Sequence, residues 1–218
     1  MIITIAAALL AGQADTSVTE RTEPVEMRLY REDGENRWAA GEWGGRWAGR
    51  GTAMNIMNVR RRNRASMELE FTGPGFEEEP VMLQCSGGES ETEFLWITWE
   101  RSELAYTCVA QSGDTRLDLA LQDSGGLFGR ARNERAGETR HEGETVRFET
   151  QRLSGVGFPS GRVPGYVIRT VDGEEIGGMD YRMMRPLLYL PHEGEPHREI
   201  ALITAVALAT FMDPANMN

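Results

Sequence analysis

"HEGEPH" (His192 to His197) puts two histidines and two glutamates within six residues. Imidazole and carboxylate are the side chains that bind metal ions and move protons near neutral pH. A zinc-protease helix needs its histidines at i and i+4. Here the spacing is five, and Gly194 and Pro196 oppose a helix. Two readings follow. One is a loop metal site built from His192, His197 and Glu193, serving a metal-dependent hydrolase. The other is a solvated loop that places Glu195 and Glu199 beside the positive end of a following helix.

"QDSGG" (Gln122 to Gly126) differs by one residue from the motif around a chymotrypsin-like serine nucleophile. That family places its histidine and aspartate before the serine. Here His141, His192 and His197 all follow it, and Asp-Ser-Gly-Gly after a strand is good turn chemistry. "RRRNR" supplies Arg60, Arg61, Arg62 and Arg64, the one dense basic run. It reads as a site for a phosphate, a lipid headgroup or an acidic polysaccharide, or as a strand end balanced by Glu77 to Glu79. "RWAAGEWGGRW" brings Trp38, Trp43 and Trp47 into a Gly-rich stretch. Tryptophan interleaved with arginine builds stacking platforms, and it equally builds cores.

The 218-residue chain carries a net charge of −11, which disfavours nucleic acid as a partner. All 23 basic residues are arginine. The start, "MIITIAAALLAGQADTS", has a short apolar run followed by Gly12 and Ala14, small residues of the kind a signal peptidase requires. Residues 1–14 therefore read as a signal peptide and 15–24 as a flexible leader. The expected location is periplasmic or secreted. Such a compartment favours pairing the two cysteines, Cys85 and Cys108, which sit in strand-like runs with a third, "EFLWITW", between them.

From residue 25 the chain alternates apolar and polar residues in short runs: "VEMRLYR", "ASMELEF", "TRLDLALQ", "TVRFETQRL". Turn residues punctuate them, and Asp172-Gly173 between "YVIRTV" and "EEIGG" is a hairpin signal. No long helical period appears before residue 198. From Ile200 to Met212 the chain is uncharged, too short to span a bilayer, and apolar on every face. A helix of that kind must be buried all round. The expected fold is mainly β: an antiparallel barrel or roll of about twelve strands closed around a buried hydrophobic C-terminal helix. Residues 25–218 form one domain on this reading.

"PGYVIRTVDGEEIGGMDY" resembles the paired strands with a central Asp-Gly turn found in the tubby-like fold, and "REIALITAVALATFMDP" resembles its closing helix. Tubby proteins, phospholipid scramblases and LURP-one-related proteins share that fold. The resemblance implies a twelve-stranded barrel around a helix and carries no functional residues. Secretion and a disulfide depart from the mostly intracellular members. The residues favour a non-enzymatic, envelope-associated binding module without a cofactor or a stable transmembrane segment. Its partner is an anionic or amphipathic envelope component, met by Trp38, Trp43, Trp47 and Arg60, Arg61, Arg62 and Arg64.

Overall fold

The computed structural model describes residues 17–56, 60–77, 80–94, 97–121, 135–153, 165–181 and 185–211. The expected signal peptide and the "QDSGG" segment lie outside them. A short helix, α1 (Val18–Arg21), leads into β1 (Glu23–Glu32), β2 (Glu35–Ala40), β3 (Trp43–Ile56), β4 (Arg60–Phe71), β5 (Val81–Phe94) and β6 (Ile97–Ala110). Then come β7 (Arg116–Leu121), β8 (Arg135–His141), β9 (Glu144–Thr150), β10 (Gly165–Thr170), β11 (Glu175–Asp180), β12 (Leu187–Leu190) and α2 (Arg198–Thr210). Each strand pairs antiparallel with its sequence neighbours, and β1 also pairs with β12, so the described sheet closes into a twelve-stranded barrel.

Alternation in the sequence sets the two faces. In β4, Ala65, Met67, Leu69 and Phe71 are buried while Arg64, Ser66 and Glu68 are exposed. Inward residues of this kind from around the barrel meet α2 in one hydrophobic core. Every α2 residue from Ile200 to Thr210 is buried. A closed sheet has no edge of its own to cover, and the helix, uncharged from Ile200 on, removes the void the closure would leave. Thr204 and Thr210 satisfy their hydroxyls on backbone carbonyls within the helix, at 2.7 and 2.8 Å. Cys85 and Cys108 are directly opposed in register, both buried, and joined by a disulfide.

Two expectations change. The supposed flexible leader contains α1, whose Val18 is 3 % exposed, and β1 already begins at Glu23. An apolar residue with a place in the core orders this segment. "EFLWITW" is not a separate strand between the cysteines. Its described residues end β5 at Phe94 and start β6 at Ile97, which pair with each other.

The four strands β3 to β6 are 12–14 residues long, against six for their neighbours β2 and β7. Ladder contacts with β2 stop at Arg46, and those with β7 start at Ala105. Beyond those points β3 to β6 continue as a four-stranded extension past the barrel. Because the strands run up and down in order, the β2–β3, β4–β5, β6–β7, β8–β9, β10–β11 and β12–α2 connections lie at the opposite end.

Candidate functional site

The β2–β3, β4–β5, β8–β9 and β12–α2 connections enclose a pocket of about 390 Å³ around the N-terminus of α2. Glu42, Glu142, Glu144, Glu193, Glu195 and Glu199 line it, with His141, His197 and Arg198 among them. Strand alternation turns His141, at the end of β8, inward, where it is buried. Its Nδ1 lies 2.7 Å from Thr115 Oγ1 and its Nε2 lies 2.9 Å from Glu199 Oε1. In the tautomer with hydrogen on Nε2, the ring donates to the carboxylate and accepts from the hydroxyl. A second link runs in the reverse sense, with His197 Nδ1 3.1 Å from Glu144 Oε2. The β8–β9 hairpin and the start of α2 thus exchange two His–Glu contacts. Arg198 reaches Glu23 at 2.9 Å and the carbonyl of Pro191, and its guanidinium sits 4.9 Å from the centroid of Trp43.

This arrangement fastens the helix to the β8–β9 hairpin. Threonine, histidine and glutamate are the types a nucleophilic triad uses, and here the threonine, Thr115, is buried at 3 % exposure. His197 is engaged by Glu144, and Glu195 accepts the backbone N–H of His192 at 2.8 Å. Among the described residues no group of three His, Cys, Asp or Glu side chains is placed to hold a metal ion. Asp114 completes the fastening by accepting the backbone N–H groups of Glu142 at 2.8 Å and Gly143 at 3.0 Å. Those two bonds hold its carboxyl below the usual carboxylate range.

The tryptophans do not form an exposed platform. Trp38 is fully buried, packed edge-on against Phe71 with ring centroids 5.4 Å apart. Its indole N–H donates to Glu70 O at 2.9 Å. Gly45, opposite it on β3, must lack a side chain, because a Cβ there would stand 1.8 Å from Glu70 O. Trp43 is 7 % exposed and donates to Pro74 O at 2.9 Å, and Trp47 packs, partly buried, against the same core.

The arginine run is placed differently. Arg60, Arg61, Arg62 and Arg64 open β4, within the extension and not in a loop. In register they stand opposite Thr92, Glu91, Ser90 and Gly88 of β5. The side chain of Arg64 is exposed. Sequence reasoning missed the His141–Glu199 contact, whose members are 58 residues apart. The available signal was the alternation of "RAGETRH", which sets Arg135, Thr139 and His141 on one face.

No protein-family model, curated protein or solved structure matches the chain. Among the described residues no helix is long and apolar enough to cross a membrane.

Proposed function

We propose that the protein is a non-enzymatic binding module of the periplasm or cell exterior that engages an anionic or amphipathic envelope component through the β3–β6 extension. One observation carries this reading: the basic run Arg60, Arg61, Arg62 and Arg64 lies on strands that continue past a barrel whose interior is filled by α2. A filled barrel leaves its outer surfaces for recognition. On a chain of net charge −11, a run of arginines is where an anion is drawn. The pocket around α2 is lined by carboxylates and repels the same ligands. The disulfide accords with an oxidising compartment. We also propose a shared architecture with the tubby-like families, on the two C-terminal segments alone.

Co-sedimentation of the full chain with vesicles tests the reading. Binding is expected to vesicles containing phosphatidylglycerol and not to pure phosphatidylcholine, with affinity falling as salt rises. Replacing Arg60, Arg61 and Arg62 together by glutamine should abolish it with the thermal transition unchanged. Equal binding of that variant would refute the assignment.

A further inference from the structure

On the outer face of the barrel, where the extension departs, a trough of about 520 Å³ crosses β3, β4, β5 and β6. Its polar lining is Arg50, Ser66, Glu68, Gln84 and Ser86, with Ala48 between them. The register explains the shape. Ala48, Glu68, Gln84 and Val109 form one row across the four strands, and Arg50, Ser66, Ser86 and Thr107 form the next. Small side chains at Ala48, Ser66 and Ser86 leave the depression. Thr107 at the far end donates to Asp118 at 2.8 Å, and Asp118 is held by Arg116 at 2.7 and 3.0 Å.

Among the described residues Arg50 makes no ion pair, although Glu68 is a diagonal neighbour on β4. The row beyond it pairs Thr52 with Arg64. Arg50 and Arg64 are therefore diagonal neighbours as well, at a Cα separation of about 7 Å. One end of the trough has the Arg50 guanidinium, without an acidic partner among the described residues, and two serine hydroxyls, with Arg64 one row beyond. The other end has a carboxylate and a carboxamide that accept from hydroxyls.

We propose that this trough binds a phosphate ester of a polyhydroxylated body, of the phosphoglycerol kind, with the phosphate at Arg50, Ser66 and Ser86. Glu68 and Gln84 accept hydrogen bonds from the hydroxyls. A planar guanidinium pairs two phosphate oxygens at once, and serine O–H groups donate to the others. Glu68 gives selectivity, since it repels a bare phosphate and rewards a ligand that brings hydroxyl donors to it. The site deepens the envelope-binding reading and rests on it, but uses residues distinct from Arg60, Arg61 and Arg62.

Titration calorimetry of the full chain with glycerol 1-phosphate, inorganic phosphate and phosphatidylglycerol vesicles tests the proposal. Glycerol 1-phosphate should bind more tightly than phosphate, and Arg50→Gln should weaken it about tenfold or more. Ser66→Leu, which fills the trough without changing charge, should also block it. Glu68→Gln should narrow the preference over inorganic phosphate. Binding to both soluble ligand and vesicles, or to vesicles alone, with loss in Arg50→Gln, assigns the headgroup as source. Binding to the soluble ligand alone assigns a free phosphate ester. Unchanged affinity in a folded Arg50→Gln, or no binding to either form, overturns the trough. If vesicle binding then persists and falls only with Arg60, Arg61 and Arg62, the extension reading stands without it.

Discussion

Asp114 shows how single residues hold the helix-bearing end together. Its carboxylate caps two backbone N–H groups of the β8–β9 turn, where Glu142 and Gly143 both have positive φ, 49° and 80°. Because its pKa is lowered in the folded state, its contribution is present above the unfolded value and is lost as pH falls through the folded one. Asp114→Ala should therefore lower the thermal midpoint at neutral pH. The gap from the unsubstituted protein should close below about pH 4, as melting curves at several pH values will show. At this scale the sequence was only partly legible. Tryptophans 38, 43 and 47 have the same chemistry in a platform as in a core. What decides between them is the face each occupies, and that depends on hairpin register. The His141–Glu199 contact joins a turn to a helix across the barrel end, so neither residue announces the other in the chain.

Elements were the most legible level. "ASMELEF" alternates strictly, and β4 buries and exposes its residues in that order. The uncharged run from Ile200 predicted a helix buried all round, and α2 is one. "EFLWITW" misled because apolar composition signals burial without saying whether a segment is a strand or the end of a hairpin. Lengths misled as well, since nothing in a periodic pattern shows that β3 to β6 outrun their neighbours. The helix carries the sharpest test of stability. Leu208 is 1 % exposed inside the barrel, and Leu208→Asp would bury a carboxylate or force it to protonate, a cost of several kcal/mol. That approaches the whole stability of a domain, about 5–15 kcal/mol. The variant should lose its cooperative thermal transition in circular dichroism. A sharp melt would mean that the helix packs outside the core.

As a whole molecule, the protein divides its surfaces by charge and by occupancy. The barrel interior is taken up by α2, the turn end is lined with glutamates, and the arginines of β4 stand on the extension. The closed sheet was inferable from the strand pattern and the greasy tail together, because only closure buries such a helix. The extension was not, since it emerges from pairing between strands. Hydrogen–deuterium exchange of the full chain, with and without phosphatidylglycerol vesicles, tests most directly where recognition occurs. Protection on binding is expected across Arg60–Arg64 and the facing Gly88–Thr92 of β5, with α2 and the β8–β9 turn unchanged. Protection centred on His141, Glu199 and the start of α2 would place recognition at the wrong end of the barrel and contradict the account.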